Sequence, residues 1–313
     1  MTRGLTGMAL AILSVVGLVV IAMAWFFLLL PDVRILRGCL TTNMFHVHLC
    51  EKDSSFTPID QISPYILGAV IMSEDASFYS HGGVDVEEMK ESAIKDMNEG
   101  KFARGGSTIT QQLAKNVFLS GSKNILRKLE EIYLAFQIEK YFSKTKILTL
   151  YLNVVQFAPD VYGVKAACQH YFKRPPNEVT PEQAAFLAFL LPNPEKYSQS
   201  FTRRQLTPFA DKMVRTILHK MFLGHKINES EYQESDARVA HFAWDEDIPK
   251  GLPDISSPPD EGNQGERAGR PEQAGMEDSP MGVVPGSSPG MDDESNQTDD
   301  DFKFDFSPDE KNK

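Results

Sequence analysis

Residues 105–116, GGSTITQQLAKN, decide the fold, because two glycines and two hydroxyl residues lead into a helical pattern. Glycine permits positive φ, and serine or threonine caps a helix by accepting from its first free amides. Two segments accompany this one, SEDASFYSHGGVD at 73–85 and RKLEE at 127–131. Each alone is also typical of a loop or of a surface ion pair worth about 0.3 kcal/mol. Together they hold the carboxylates, hydroxyls, amides and cations of a site that handles sugars and phosphates.

Two later segments continue the series, KILTLYLNVVQF at 146–157 and YGVKAACQHYF at 162–172. Taken in their order along the chain, the five segments resemble the motifs of the family 51 peptidoglycan glycosyltransferases, over roughly residues 58–200. The resemblance implies a mainly α, lysozyme-like helical glycosyltransferase domain. It also implies polymerisation of glycan strands from the lipid-linked disaccharide-peptide precursor, lipid II, with release of undecaprenyl diphosphate.

The resemblance assigns roles to single residues. Glu74 is the general base that takes the proton of the acceptor's 4-hydroxyl, which attacks the donor's anomeric carbon with inversion, and Glu131 is the second catalytic carboxylate. Asp75 and Glu131 are the predicted ligands of a divalent metal, Mg or Mn, bound with the substrate diphosphate. The substrate-binding candidates are Asp75, Ser107, Thr108, Gln111, Gln112, Lys115, Lys123, Arg127 and Lys128.

The residues around these candidates suit the chemistry. Ser63 and Pro64 predict the start of an amphipathic helix that delivers Glu74 at its carboxyl end. An apolar wall beside a carboxylate raises its pKa, as a base working near neutrality requires, and Phe78 and Tyr79 are the candidates for that wall. Amides and hydroxyls at the start of the helix that follows the glycines form an anion site.

The amino-terminal segment is strongly apolar. Residues 8–30 carry no charge, and as a helix they would span ~35 Å, enough for a ~30 Å hydrocarbon core. We predict one transmembrane helix, with residues 1–7 in the cytoplasm. The family implies a catalytic domain on the periplasmic or extracytoplasmic side of the cytoplasmic membrane. A cleaved signal peptide is the alternative, because residues 22–24 resemble a cleavage site, but the apolar run continues beyond them.

The carboxyl-terminal segment differs in composition. Residues 245–313 carry 19 acidic and 6 basic side chains, which explains the net charge of −11. Few large apolar groups occur there, so 248–313 is predicted to be an acidic disordered tail, with FKFDF at 302–306 as a short docking motif or an uncollapsed stretch. Such a tail repels nucleic acid. The predicted partners are the lipid-linked precursor, the growing glycan strand, the membrane and other cell-wall synthesis proteins.

Between these ends we predict a membrane-proximal linker at 31–57, the glycosyltransferase domain at 58–205 and a helical extension at 206–247. Apolar residues at helical spacing predict a helix over 146–157, and Thr180 with Gln183 predicts a capping box at a later helix start. The last helix is predicted to start at Asn228 or Ser230.

Cys39 and Cys50 flank a strand-like segment and can form a disulfide if this part is exported. Cys168 lies in an alanine-rich helix and is predicted to be a buried free thiol. His46 and His48 would share one strand face, but the sequence offers no further metal ligands nearby.

Two other functions stay open. A hydrolase of the same glycan also uses a helical fold with a catalytic glutamate, and a non-catalytic membrane scaffold is favoured by the acidic tail and by changes in the later motifs. Thr149 and Ala158 stand where the family usually has glutamate and glycine. The GGSTITQQ loop and the cations favour synthesis, because they suit a diphosphate better than an uncharged glycan. The S-x-x-K matches at 120–123 and 143–146 lack a following K-T-G, so a monofunctional enzyme is expected.

Overall fold

The computed structural model describes residues 2–28, 30–99, 106–121 and 124–244, and within them the fold is mainly α, as predicted. Four short strands form two antiparallel hairpins, β1 (Leu40–Thr41) with β2 (His48–Leu49) and β3 (Gln156–Ala158) with β4 (Val161–Tyr162). The helices are α1 (Thr2–Leu28), α2 (Pro64–Glu74), α3 (Val86–Glu99), α4 (Ile109–Phe118), α5 (Ile125–Tyr141), α6 (Lys144–Val154), α7 (Val164–Phe172), α8 (Pro181–Leu190), α9 (Pro194–Tyr197), α10 (Gln199–Thr202), α11 (Pro208–Leu223) and α12 (Glu229–Val239).

Helix α1 is long and apolar enough to cross a membrane, as predicted for residues 8–30, and no residue in the most apolar part of that stretch is buried. A signal sequence near an amino terminus has the same length and composition. The carboxyl end of α1 contacts α5, since the Phe27 and Tyr133 rings lie 4.8 Å apart. Just beyond α1, the Arg34 guanidinium lies 5.9 Å from the Tyr141 ring centroid. Helix α5 is therefore the part of the domain next to the apolar helix.

Helices α2, α8 and α11 pack together at the centre of the domain. All residues of α8 are buried, and it begins with the predicted capping box between Thr180 and Gln183. Helix α2 begins as predicted, with Ser63 as its N-cap and Pro64 in its first turn, and it ends at Glu74. The prediction that α2 is amphipathic was wrong, because α8 and α11 cover most of its surface.

Phe186 of α8 lies inside a group of rings that we call the aromatic cluster. Its ring centroid is 5.0 Å from that of Trp244 and 5.4 Å from those of Tyr171 and Phe242. The described chain thus closes its core with residues that follow α12. The members of the aromatic cluster are Tyr171, Phe172, Phe186, Phe201, Phe242 and Trp244.

The first hairpin holds the carboxyl end of α4. A disulfide joins Cys39 to Cys50. Inside the loop that it closes, the Asn43 amide donates to the Val117 carbonyl at 2.9 Å, and the Asn43 side chain donates to the carbonyl of Phe118 at 2.8 Å. These bonds satisfy carbonyls that a helix end leaves free.

The third cysteine agrees with its prediction, whereas the histidine pair does not. Cys168 is a buried free thiol, as predicted, and burial raises its pKa to about 12. The prediction that His46 and His48 share one strand face was wrong, because His46 lies in the turn before β2 with φ 54°.

Local patterns misplaced two further features. The helix predicted to run through Phe157 ends at Val154, and β3 follows it. Helix α3 was not predicted at all, since its sequence is mostly polar. Helix α12 begins at Asn228, one of the two predicted starts, with Glu231 as its capping-box partner.

Candidate active site

Helix α4 presents two polar side chains on one open face. Gln112 and Lys115 are partly exposed, whereas every other residue of α4 is buried. Residues three apart in a helix share a face. Helix α4 starts with the predicted hydroxyl cap, since the Thr108 hydroxyl accepts from the Gln111 amide. The Gln111 side chain accepts in turn from the Thr108 amide, which completes a capping box that was not predicted. The capping fixes the start of α4 and directs an amide and an ammonium group to one side.

Glu74, at the end of α2, meets the amide of Gln112. Gln112 Nε2 donates to Glu74 Oε2 at 2.8 Å, while Gln112 Oε1 accepts from the Tyr151 hydroxyl at 3.0 Å. Burial raises the pKa of Glu74, although the Gln112 hydrogen bond and the ammonium groups of Lys115 and Lys220 act in the opposite direction. The Glu74 side chain remains partly exposed. A reachable carboxylate with a raised pKa is suited to accept a proton.

The two aromatic residues predicted to wall Glu74 have different environments. Phe78 is fully buried, whereas Tyr79 is 60% exposed. The Phe78 amide donates to the Asp75 carbonyl in the tight turn that follows α2. That turn directs Tyr79 to solvent, so its assignment to the apolar wall was wrong.

Asp75 adjoins Glu74 but is 1% exposed. Its carboxylate accepts from His81 Nε2 at 2.9 Å and from the amide of Ile109, the first residue of α4, also at 2.9 Å. Burial raises the pKa of Asp75, and these two hydrogen bonds oppose the rise. Asp75 therefore ties the end of α2 to the start of α4.

The His-Gly-Gly turn completes this connection. The Gly83 amide donates to His81 Nδ1 at 3.1 Å, and the Thr108 hydroxyl donates to the Gly83 carbonyl at 2.7 Å. Because Nδ1 accepts this hydrogen bond, Nε2 carries the ring proton and donates the hydrogen bond to Asp75. Gly83 has φ +104°, and a Cβ there would lie 3.0 Å from the Ala135 carbonyl oxygen, so a side chain is disfavoured twice.

The second predicted carboxylate, Glu131, is 3% exposed and pairs with Lys128 one turn earlier on α5. Lys128 Nζ also donates to Ser107 Oγ at 2.9 Å, which joins α5 to the loop before α4. Arg127 Nε is buried and has no hydrogen-bond partner among the described residues. The α5 charges thus include a guanidinium donor that is available to a ligand.

Lys115 links the two carboxylates. Burial lowers its pKa, and Arg127 and Lys128 lower it further, while the negative charges of Glu131 and Glu74 raise it. All four charges act on one ammonium group, so Lys115 lies close enough to interact with both the end of α2 and the charges on α5. The result is one polar region that contains carboxylates and cations together.

The structure brings together seven of the predicted site residues: Glu74, Ser107, Gln112, Lys115, Arg127, Lys128 and Glu131. Asp75, Thr108 and Gln111 are at most 1% exposed, and their hydrogen bonds hold the start of α4 in place, although Gln111 Nε2 has no partner among the described residues. Their geometry argues against direct substrate contact, and Asp75 has both oxygens engaged, which disfavours it as a metal ligand. Lys123 lies outside the described residues.

Sequence reasoning missed Tyr151, Lys220 and Glu88. The Lys220 ammonium, on α11, acts on the pKa values of both Glu74 and Glu88, and burial lowers its own pKa. Tyr151 is fully buried on α6 and bonds Gln112. A hydroxyl or ammonium within an otherwise apolar helix pattern was the available signal, but it does not tell which residue lies opposite.

These groups are suited to removing a proton from a hydroxyl and to neutralising a departing anion. The fold and the polar region are therefore those expected of a group-transfer enzyme.

Comparison with known proteins narrows this class. The sequence model of the family described as Transglycosylase matches residues 42–222. Over 173 residues the chain is 45% identical to a biosynthetic peptidoglycan transglycosylase of Ralstonia nicotianae, covering 52% of this chain and 74% of that protein. A protein of the same description from Alcanivorax borkumensis is 41% identical over 192 residues, 60% of this chain and 76% of the relative.

The chain belongs to the transglycosylase family. This confirms the resemblance seen in the motifs and the lysozyme-like helical fold that it implied. The match extends on both sides of the predicted 58–205 domain, and it takes in β2 of the first hairpin and most of α11.

Proposed function

We propose that this chain polymerises glycan strands from lipid II on the extracytoplasmic side of the cytoplasmic membrane. That the chain is a peptidoglycan glycosyltransferase rests on its family and on the relatives' names. The proposed part is the lipid-linked donor, the role of each residue and the side of the membrane. The observations that carry it are the Glu74–Gln112 contact on α4, the Lys128 contacts with Ser107 and Glu131, and the joint action of Glu74 and the α5 charges on Lys115.

In the proposed reaction Glu74 takes the proton of the acceptor's 4-hydroxyl. The oxygen attacks the anomeric carbon of the donor, and the bond from that carbon to the diphosphate breaks with inversion. The Gln112 side chain donates a hydrogen bond to Oε2 of Glu74, and no described residue donates to Oε1. Oε1 is therefore the oxygen that takes the proton from the 4-hydroxyl of the acceptor sugar. A general base of this kind contributes roughly 10²- to 10⁴-fold in rate.

The cations receive the departing undecaprenyl diphosphate. Lys115, Arg127 and Lys128 supply positive charge, and charge-assisted hydrogen bonds to phosphate are among the stronger ones in proteins. The free Nε donor of Arg127 is suited to a phosphate oxygen. Glu131 holds Lys128 and favours the charged form of Lys115 against the effect of burial. We therefore propose that Glu131 acts mainly by keeping these ammonium groups in place.

A divalent metal stays a prediction. Mg²⁺ commonly binds one or two carboxylates together with substrate phosphates. Asp75 does not fit that task, because His81 and Ile109 occupy its oxygens. Glu131 fits better, since it lies among the cations proposed to face the diphosphate, and there a metal would add neutralising charge. The steps above use the chain's own residues.

Contacts between α1 and α5 support membrane anchoring. Helix α5 carries Arg127 and Lys128, touches the end of α1 through Tyr133, and contacts Arg34 just beyond α1 through Tyr141. Its side chains Ile125 and Leu126 are 82% and 60% exposed, so apolar surface continues next to the cations. A lipid-linked donor needs its diphosphate at the cations and its chain in lipid at the same time. We propose α1 as the single-pass anchor that keeps this surface at the membrane.

The proposed organisation of the rest follows the sequence. Residues 31–57 link the anchor to the domain at 58–205, the extension covers 206–247, and the acidic tail at 248–313 is a candidate contact for other cell-wall synthesis proteins. Residues 245–313 lie outside the described part of the chain. Their proposed role therefore depends on composition alone.

The test is polymerisation by the detergent-solubilised full chain, given lipid II and a divalent metal. We expect polymer from the parent and about a thousandfold lower rate from Glu74→Gln, because the substituted amide cannot accept the proton. Glu130→Gln is the matched control, since Glu130 is a neighbouring α5 residue to which we assign no role.

Three outcomes would contradict the proposal. Shortening of preformed glycan without polymer formation would show a hydrolase, and inactivity of the folded parent in both assays would show a scaffold. A Glu74→Gln variant as active as Glu130→Gln would remove Glu74 from the chemistry.

A further inference from the structure

We propose that Tyr151 is a positioning residue that fixes which end of the Gln112 amide faces Glu74. The inference rests on the proposed function, since it concerns the environment of the proposed base. Tyr151 lies on α6 and is 0% exposed, and its hydroxyl donates a hydrogen bond to Gln112 Oε1 at 3.0 Å. It acts through Gln112, whose Nε2 donates to Glu74 Oε2 at 2.8 Å.

The burial of Tyr151 decides the direction of its hydrogen bond. A buried hydroxyl proton without an acceptor is costly, so it must be donated within the protein. Among the described residues, the Tyr151 hydroxyl finds its acceptor in Gln112 Oε1. Burial also raises the pKa of Tyr151 well above that of an exposed tyrosine, and the carboxylates of Glu74 and Asp75 add to the rise. The hydroxyl therefore keeps its proton and donates it.

The direction of that bond sets the orientation of the amide. A glutamine side chain has one accepting end and one donating end. With Oε1 held by Tyr151, the NH₂ group must face Glu74. A flipped amide would set its oxygen against the carboxylate and leave the Tyr151 proton without its acceptor. The donated bond then occupies Oε2 of Glu74 and leaves Oε1 for the acceptor sugar.

The first test compares two buried tyrosines in the full chain. We expect Tyr151→Phe to lower kcat about tenfold with KM for lipid II changed less than about twofold, because an oriented bond to the proposed base is lost while the substrate-binding cations remain. Tyr171→Phe is the matched control. Tyr171 is equally buried, and its hydroxyl donates to the Phe157 carbonyl at 2.9 Å. We expect the kcat of Tyr171→Phe to match that of the parent.

The second test separates positioning from packing. If Tyr151 acts through Gln112, then Tyr151→Phe costs nothing further in a Gln112→Ala chain, whereas a packing role lowers kcat by the same factor in both backgrounds.

Two replacements of similar size address folding. 4-Aminophenylalanine at position 151 keeps a donor and should restore most of kcat, whereas 4-methylphenylalanine fills the same space without donating and should not. This comparison still decides the question if Tyr151→Phe fails to fold.

The inference is wrong if Tyr151→Phe has the parent's kcat, if its effect is unchanged in the Gln112→Ala chain, or if both unnatural residues behave alike. A folded parent that makes no polymer overturns the proposed function instead. The two failures are therefore distinguishable.

Discussion

The α2–α4–α6 junction and the aromatic cluster are both largely buried, yet they are held together by different forces. The junction, formed by Glu74, Asp75, Gln112 and Tyr151, is a set of directional hydrogen bonds in which each donor has a particular acceptor. The aromatic cluster around Phe186 consists of ring contacts at 4.7–6.4 Å. Hydrophobic burial is non-directional, while a buried polar group must be paired. The cluster should therefore determine stability, and the junction should determine activity.

The largest expected effect on stability tests the cluster. Phe186→Ala should lower the free energy of unfolding by about 3–5 kcal/mol, because it removes a fully buried ring from a packed core. Chemical denaturation followed by tryptophan fluorescence measures it, since Trp244 lies 5.0 Å from Phe186.

Polymerisation per folded molecule should stay near the parent value in Phe186→Ala. Phe136→Ala is the control, because Phe136 is 50% exposed and loses less buried area. A large fall in kcat for the folded Phe186→Ala chain would show that the two regions are coupled.

A smaller effect, on both quantities, is expected at the junction. Asp75→Asn replaces one accepting oxygen with a donor that opposes His81 or the Ile109 amide. We expect a stability loss of about 2 kcal/mol, and a several-fold lower kcat because the start of α4 shifts. Denaturation and polymer synthesis measure the two effects.

Asp211→Asn is the control for Asp75→Asn. Asp211 forms a half-exposed ion pair with Arg215 on α11, and such pairs contribute only about 0–1 kcal/mol. If Asp75→Asn loses stability but keeps its kcat, the junction does not position the site.

The smallest effect concerns pH. The proposed base must be ionised, so kcat/KM should fall as pH drops through the raised pKa of Glu74, at a higher pH than for an exposed glutamate. Asp75 on α2, Lys115 on α4 and Lys220 on α11 are the charged groups that act on Glu74. A pH–rate profile measures the position of this limb. A limb at the ordinary glutamate pKa would contradict the effect of burial.

The raised pKa of Glu74 should also affect stability, and in the opposite direction: the free energy of unfolding should fall over the pH range in which kcat/KM rises. A carboxyl whose pKa is raised by folding binds its proton more tightly in the folded state, so stability declines as pH rises from the ordinary value through the raised one. Glu74→Gln should remove its part of that decline, which melting curves at several pH values would detect.

Local signals predicted the elements whose ends carry caps. Ser63 with Pro64, Thr108 with Gln111, and Thr180 with Gln183 each start a helix where expected. Prediction failed where the apolar spacing gave the wrong signal or none. The helical spacing of α6 continues into β3, which instead pairs with β4 in a short hairpin, and α3 has too little apolar periodicity to be recognised.

The candidate site divides in the same way. Residue type and motif order indicated Glu74, Gln112 and the α5 cations. They did not distinguish Gln111 from Gln112, although one is buried in a capping box and the other faces Glu74. That difference depends on which side of α4 the rest of the chain covers.

By itself, the sequence determined the helix starts, the apolar amino-terminal segment and the kinds of groups available for chemistry, because these depend on neighbouring residues. Only the tertiary structure decided that Asp75 holds α4 while adjacent Glu74 stays reachable, and that Tyr151 meets Gln112 across 39 positions of the chain. Burial and hydrogen-bond partners are properties of residues that are distant in sequence, so the folded chain sets them.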